Sequence, residues 1–173
     1  PKVFWDIGAN IGFYSWLLLS RNPDIEVVLF EPDTDNLSLV EWTMKKSTIE
    51  RATVVPYAVS DKDGVSEFTI DTISGSTGTL HTDDQTFVNR EYGLQEKSVQ
   101  VETRTMQTLA NELSPPDLIK VDVEGHEDEV FAGGWDVIEM HQPIILFESF
   151  DGIRSNVAIE LALRGYMIME AAG

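Results

Sequence analysis

Short apolar runs alternate with longer amphipathic segments along this chain. The runs are bounded by glycine, proline or polar residues, and they lie at 2–7, 26–30, 53–57, 117–122 and 143–148. Runs of this length and continuity are typical of strands that are buried on both faces of a parallel sheet. A further apolar run at 166–170 predicts a sixth strand.

Helical spacing of apolar residues fills the intervals between these strands. The predicted helices cover 12–21, 34–47, 105–113, a segment that begins near His126, and 153–164. Thr34 or Asp35 is expected to cap the second helix, and Gly133-Gly134 is expected to interrupt the helix after His126. This alternation predicts an α/β fold with a doubly wound, mostly parallel sheet in the order 3-2-1-4-5.

Two segments between the third and fourth core strands have a different pattern. Polar residues interleave with apolar ones at 65–70 and 99–103, which predicts antiparallel strands added to the parallel core. Residues 71–98 show no period and contain Ser74-Gly75-Ser76-Thr77-Gly78. We expect this long irregular stretch to form a lid over a functional site. The whole chain, 1–173, is expected to be a single domain.

Each of four apolar runs ends in a carboxylate, namely Asp6, Glu31, Asp122 or Glu148. In open parallel sheets, ligands bind beyond the carboxyl ends of the strands, and neighbouring strands lie about 4.8 Å apart. The predicted strand order therefore places the four acids along one rim of the sheet. A ligand held by such a rim is expected to carry cationic or hydroxyl groups rather than phosphate.

The first strand leads into the turn Asp6-Ile7-Gly8-Ala9-Asn10-Ile11-Gly12. Gly8 permits a sharp turn, Asn10 tolerates a left-handed backbone, and Gly12 lets the following helix approach the strand closely. Glu31, at the end of the next strand, can accept hydrogen bonds from the two vicinal hydroxyls of a ribose. Together these residues predict a nucleoside site.

The spacing of the glycines in this turn distinguishes between the nucleoside cofactors that the site could bind. The dinucleotide fingerprint G-x-G-x-x-G is absent, because Asn10 and Phe13 stand where its second and third glycines would be. Asp6, expected at the mouth of the turn, would repel a pyrophosphate and attract the sulfonium and ammonium groups of S-adenosylmethionine. An NAD-linked oxidoreductase and a non-catalytic nucleoside-binding module remain alternative interpretations.

The amino-acid composition limits the kinds of molecule that this protein is expected to bind. The formal net charge of −18 disfavours binding to nucleic acid and to anionic membrane surfaces. The chain has no cysteine, so it has neither disulfides nor thiolate ligands. No apolar run approaches the roughly 20 residues that span a bilayer, and no signal peptide is visible. We expect a cytoplasmic protein whose partner is a small molecule.

Four segments resemble the FkbM family of S-adenosylmethionine-dependent methyltransferases. They are Phe4–Gly12, Phe30–Asp33, Ala58–Asp61 and Leu118–Glu127, and the resemblance extends to about Gly165. It implies the Rossmann-like methyltransferase fold and O-methylation of a hydroxyl on a sugar or another small molecule. That fold closes with an antiparallel seventh strand between strands five and six. This chain has no evident counterpart unless 65–70 or 99–103 supplies it.

The resemblance also implies cofactor contacts. Four residues of the glycine turn would lie along the methionine part of S-adenosylmethionine: Asp6, Gly8, Asn10 and Gly12. The ribose and adenine would be contacted by residues after the second and third strands: Glu31, Pro32, Asp33, Val59 and Ser60. Asp122 would face the methionine end or the transferred methyl group.

A hydroxyl acceptor needs a group that takes its proton. The candidate catalytic residues follow the fourth and fifth core strands, and they are Asp122, Glu124, His126 and Glu148. The ordinary pKa of histidine, about 6.5, suits a general base, although a solvent-facing position at a helix start is the alternative for His126. Lys120 is expected to neutralise part of this acidic cluster. No metal is predicted, although the same four side chains would offer ligands to Mg²⁺ or Ca²⁺.

Overall fold

The computed structural model describes residues 1–71, 78–80, 96–149 and 151–170. Its strands are β1 (Val3–Ile7), β2 (Glu26–Phe30), β3 (Ala52–Val55), β4 (Ala58–Val59), β5 (Gly64–Asp71), β6 (Gly78–Thr79), β7 (Glu96–Arg104), β8 (Leu118–Val121) and β9 (Ile144–Phe147). Its helices are α1 (Phe13–Arg21), α2 (Thr34–Ser47), α3 (Met106–Glu112), α4 (Glu127–Ala132), α5 (Trp135–His141) and α6 (Asn156–Leu163), with a 3₁₀ turn at Gly152–Arg154.

The main sheet has five parallel strands in the order β3-β2-β1-β8-β9. This confirms the predicted order of the core strands. Phe4 and Leu29 belong to the buried cluster under α1 and α2, whereas Trp5 and Ile119 belong to the larger cluster under α3 to α6. Helices therefore cover both faces, which is why the central strands read as continuous apolar runs.

A second sheet has the order β4-β7-β5-β6, and β5 pairs antiparallel with β7. The predicted antiparallel strands at 65–70 and 99–103 are therefore confirmed. They do not supply a seventh strand of the main sheet, because β7 pairs with β4 instead. Pro56 separates β3 from β4, and a proline cannot donate a ladder hydrogen bond, so the chain leaves the main sheet at this point.

The predicted strand at 166–170 is wrong for the described part of the chain, because these residues form no ladder. Tyr166 and Ile168 pack against the larger core cluster, whereas Met167 and Met169 are exposed. The alternation therefore reports correctly which side chains face the core. It cannot supply a backbone partner, which a strand also requires.

Helix boundaries agree closely with the prediction, and one cap differs. The carboxylate of Asp33, rather than Thr34 or Asp35, caps α2, since its Oδ1 accepts from the N–H groups of Asp35 at 2.7 Å and Asn36 at 3.2 Å. The interruption at Gly133-Gly134 is confirmed, because α4 ends before it and α5 begins after it.

The predicted lid at 71–98 falls largely outside the described residues. Within it the structure describes only the end of β5, residues 78–80 and the beginning of β7. Among the residues that are described, no helix is both long and apolar enough to cross a membrane.

Candidate functional site

A cavity opens at the carboxyl ends of β1, β2 and β8. Nine of the predicted site residues line it: Gly8, Asn10, Glu31, Pro32, Asp33, Val59, Asp122, Glu124 and His126. Four others do not, and these are Asp6, Gly12, Ser60 and Glu148. The structure thus gathers most of the predicted site around one cavity and places the rest behind or beside it.

The glycine turn forms the floor of the cavity. Gly8, Asn10 and Gly12 have positive φ angles of 72°, 52° and 81°. The N–H groups of Gly8 and Ala9 both donate to the Phe30 carbonyl at 3.1 Å. A Cβ atom at Gly8 would lie 1.9 Å from the Asp122 carbonyl oxygen, so only glycine allows the turn to pass this close to the end of β8.

Glu31 is buried at the end of β2, and the backbone fixes both of its carboxylate oxygens. Oε2 accepts from the Asn10 N–H at 2.7 Å, and Oε1 accepts from the Asp33 N–H at 2.8 Å. Burial raises the pKa of Glu31 to about 7, although these two hydrogen bonds oppose the shift. Each carboxylate oxygen can accept a second hydrogen bond, so the fixed carboxylate can still bind two vicinal hydroxyls.

The wall beyond Glu31 is mostly apolar. Pro32, Tyr57 and Val59 line it, together with Phe68 of β5 and Leu80, which follows β6. An apolar wall beside a carboxylate that can accept two hydroxyls suits the flat face of a nucleobase. Sequence reasoning missed Phe68 and Leu80, because nothing in the pattern of 65–70 indicates that this sheet folds over the cavity.

The expectation that Asp6 lies at the mouth of the turn is wrong, because Asp6 lies inside β1. Its side chain is fully buried, and its Oδ2 accepts from the Ser15 hydroxyl at 2.8 Å. Its Oδ1 lies 3.4 Å from the Lys120 Nζ, and burial raises the pKa of Asp6. Since β1 continues through Ile7, Asp6 points towards α1 and does not line the cavity.

Lys120 ties the glycine turn to β8. Its Nζ donates to the Gly8 carbonyl at 2.8 Å and lies 3.1 Å from Asp122 Oδ2. The same ammonium lies 5.4 Å from the centre of the Tyr14 ring. Lys120 is buried, so these contacts act in a poorly solvated environment and support its predicted role of neutralising the neighbouring acids.

Acidic side chains crowd the end of β8. Asp122, Glu124, Glu127 and Glu148 line one small cavity. The pKa of Glu148 is raised, mainly by the charge of Asp122, and that of Glu124 is raised by burial and then by the same charge. Within the described ranges, no three or more acidic, histidine or cysteine side chains are grouped so that they could hold a metal ion.

His126 reaches the cavity from the start of α4, and its ring contacts the loop after β4. Its Nε2 lies 3.0 Å from the Ser60 Oγ, and its Nδ1 lies 3.4 Å from Glu129 Oε2. His126 is buried, so the solvent-facing alternative is wrong. Ser60 lies behind the apolar wall rather than on it.

A groove of about 740 Å³ adjoins the cavity. Asp122 lines both spaces, and Tyr14, Lys120, Glu148 and Ile153 also line the groove. The two spaces therefore meet at Asp122. A ligand in the cavity and a second molecule in the groove would approach each other there.

The comparison with known families identifies the family of this chain. The family described as methyltransferase FkbM domain matches residues 6–169. The chain belongs to this family. S-adenosylmethionine is therefore the cofactor of this FkbM methyltransferase domain, and the NAD-linked interpretation is wrong.

The side chains of the FkbM domain fit this cofactor. Glu31 has two fixed oxygens that could accept the ribose hydroxyls, and the cradle at Gly8 has no room for a side chain. Acidic groups near Asp122 suit a sulfonium, and the apolar wall suits adenine.

Two curated relatives are similar to this FkbM domain. Hexuronic acid methyltransferase AglP from Haloferax volcanii is 30% identical over 136 residues, which cover 76% of this chain and 49% of AglP. The 2-O-methyltransferase NoeI from Sinorhizobium fredii is 27% identical over 140 residues, which cover 76% of this chain and 57% of NoeI. The chain thus spans about half the length of the curated relatives it matches.

A solved structure shares the fold of the FkbM domain. Precorrin-6y C5,15-methyltransferase from Geobacter metallireducens superposes with a TM-score of 0.53 at 17% identity, covering 96% of this chain and 64% of that one. At this identity the similarity concerns the fold alone. It confirms the Rossmann-like methyltransferase architecture.

Proposed function

We propose that this domain transfers a methyl group from S-adenosylmethionine to a hydroxyl of a sugar or a similar small molecule. The observation that carries the proposal is the position of Asp122, which lines both the cofactor cavity and the adjoining groove. The names of AglP and NoeI, a hexuronic acid methyltransferase and a 2-O-methyltransferase, support the choice of a hydroxylated acceptor.

The bound cofactor supplies a methyl group that is already activated by its sulfonium, so the protein mainly has to position the two reactants. Glu31 and the apolar wall hold the nucleoside, while Lys120 fixes the turn and Asp122 relative to each other. The acceptor hydroxyl must lose its proton as the new bond forms.

Glu148 is the proposed proton acceptor. It lines the groove beside Asp122, and the Asp122 charge raises its pKa. A carboxylate with a raised pKa holds a proton more strongly and is the better general base. Asp122 therefore acts on the acceptor side by orienting the hydroxyl and by making Glu148 more basic.

Glu148→Gln and Asp122→Asn test this assignment. Methyl transfer from labelled S-adenosylmethionine is measured on a panel of neutral sugars and hexuronic acids. We expect Glu148→Gln to lower kcat by about 10²-fold or more, as for loss of a general base. Asp122→Asn should shift the acidic limb of the kcat–pH profile to lower pH, because it removes the charge that raises the Glu148 pKa.

Glu41→Gln, on the exposed side of α2, is the matched control and should leave both measurements unchanged. Full activity in Glu148→Gln would contradict the assignment of the base. If the wild-type domain binds S-adenosylhomocysteine but methylates nothing on the panel, the domain is better described as a nucleoside-binding module.

A further inference from the structure

Asp6 is a carboxylate buried inside β1, and it does not line the cofactor cavity. Its register partner in β8 is Lys120, so the two side chains lie on the same face of the sheet. The preceding pair on this face, Phe4 with Leu118, is apolar and packs in the cluster under α1. Asp6 and Lys120 therefore bring two ionisable groups into the layer between the sheet and α1.

The ammonium group of Lys120 is shared by two carboxylates. It lies 3.4 Å from Asp6 Oδ1 and 3.1 Å from Asp122 Oδ2, and it donates a hydrogen bond to the Gly8 carbonyl at 2.8 Å. The Asp6 side chain is fully buried, whereas a third of the Asp122 side chain is exposed. Asp6 thus attracts the ammonium towards the protein interior, and Asp122 attracts it towards the cavity and the groove.

The pair of Asp6 and Lys120 affects position more than stability. Burial raises the pKa of Asp6, and the charge of Lys120 opposes this rise. The cost of burying two charges roughly cancels their attraction, whereas loss of one partner leaves the other charge buried and uncompensated. Without Asp6, Asp122 is the remaining anionic partner of Lys120 among the described residues. We then expect the ammonium to move towards Asp122 and away from the Gly8 carbonyl.

Gly8 and Asp122 lie where the cavity meets the groove. A Cβ atom at Gly8 would touch the Asp122 carbonyl, and Asp122 lines both spaces. Glu31 and the apolar wall line the nucleoside part of the cavity instead. The inference rests here on the proposed function, in which the methyl group passes to an acceptor in the groove. The methionine part of the cofactor, which carries the sulfonium, then extends towards Gly8 and Asp122.

We propose that Asp6 is a positioning residue that acts through Lys120. It keeps the ammonium on the Gly8 carbonyl beside Asp122, and so shapes the methionine end of the cofactor cavity. The sequence suggested that Asp6 attracts the sulfonium directly. Its burial in β1 and its pairing with Lys120 favour this indirect action instead.

Binding of S-adenosylhomocysteine and of adenosine, measured by calorimetry, tests the positioning role without any acceptor. We expect Asp6→Ala to weaken S-adenosylhomocysteine by about tenfold or more, because the turn and Asp122 lose their fixed separation. Adenosine, which has no methionine part, should stay within about threefold of the wild type. Lys120→Met should give the same pattern. Asp24→Ala, in the exposed turn before β2, is the matched control and should change neither affinity.

The double variant Asp6→Ala/Lys120→Met separates positioning from stability. Asp6→Ala alone should lower the melting temperature, because it leaves a buried ammonium unpaired, and the added Lys120→Met should restore most of the loss. The affinity for S-adenosylhomocysteine should nevertheless stay about as low as in either single variant, since both changes break the same connection. Affinity that recovers together with the melting temperature would overturn the proposal. Losses that multiply in the double variant would also overturn it, because the two residues would then act separately.

Equal weakening of S-adenosylhomocysteine and adenosine in Asp6→Ala would likewise show a general structural role and overturn the proposal. If Asp6→Ala fails to fold, Asp6→Asn decides, since its amide keeps the shape of the side chain and an oxygen for the Ser15 hydroxyl. A wild-type domain that binds neither ligand would overturn the cofactor assignment itself. A domain that binds S-adenosylhomocysteine but methylates no sugar would contradict the proposed function, so the failures are distinguishable.

Discussion

At the scale of single residues, Glu31 couples cofactor binding to pH. Burial raises its pKa to about 7. Ribose hydroxyls donate to the carboxylate form, so a bound nucleoside lowers this pKa, and binding below pH 7 must release a proton. We expect the affinity for S-adenosylhomocysteine to fall by up to about tenfold per pH unit below about 7 and to level off above about 8. Calorimetry across this range measures the slope.

The variant Glu31→Gln identifies the residue that is responsible. An amide cannot ionise, so the slope should disappear, and affinity at high pH should fall by about 10- to 100-fold through loss of charged hydrogen bonds. Glu41→Gln should keep the wild-type slope, because Glu41 is exposed on α2. A slope that persists in Glu31→Gln would assign the pH dependence to another group.

At the scale of elements, the glycine turn depends on its contact with β8. A Cβ atom at Gly8 would collide with the Asp122 carbonyl at 1.9 Å, whereas one at Gly165 would meet nothing within 4 Å. Both glycines have positive φ angles, 72° and 89°. Gly165→Ala is therefore expected to cost only the backbone strain, about 1–2 kcal/mol.

Gly8→Ala carries the same strain and adds a backbone collision, so it should destabilise the domain more and abolish binding of S-adenosylhomocysteine. Urea unfolding and calorimetry on both variants make the comparison. Equal loss of stability in the two variants, with binding retained in Gly8→Ala, would show that the turn does not need its close approach to β8.

Helices and strands could be predicted from the sequence wherever a local pattern of residues is enough to determine them. The apolar runs of β1, β2 and β8 lie in strands that are buried on both faces, whereas β9 exposes Ile144 and Leu146 on one face. The order of all four strands followed from the rules for crossovers. Contacts made across the fold were not accessible in this way. Nothing local shows that β5 and β7 build a separate sheet whose Phe68 closes the cavity. Likewise, the sequence suggests that the strand ends at Asp6, whereas the hydrogen-bonded ladder of β1 continues through Ile7.

At the scale of the whole molecule, excess negative charge sets how stability changes with pH. The formal net charge is −18 at pH 7, and the buried or crowded carboxyls Asp6, Glu31, Glu124, Glu127 and Glu148 all have raised pKa values. A carboxyl whose pKa is higher in the folded state binds its proton more tightly there. The folded state therefore loses stability as the pH rises, for Glu31 between 4.5 and about 7.

We expect the melting temperature of the ligand-free domain to fall between about pH 5.5 and 8, with Glu31 alone contributing on the order of 2 kcal/mol over this range. For a domain of this size, that corresponds to several degrees. Salt at about 1 M should raise the melting temperature at pH 8 by screening exposed charges, but part of the pH effect should remain because buried carboxyls are poorly screened. A melting temperature that rises across this range would mean that ion pairs such as Lys120 with Asp6 and Asp122 outweigh the cost of burying the acids. Differential scanning calorimetry at low and high salt separates the two outcomes, since burial cost and surface repulsion respond to salt differently.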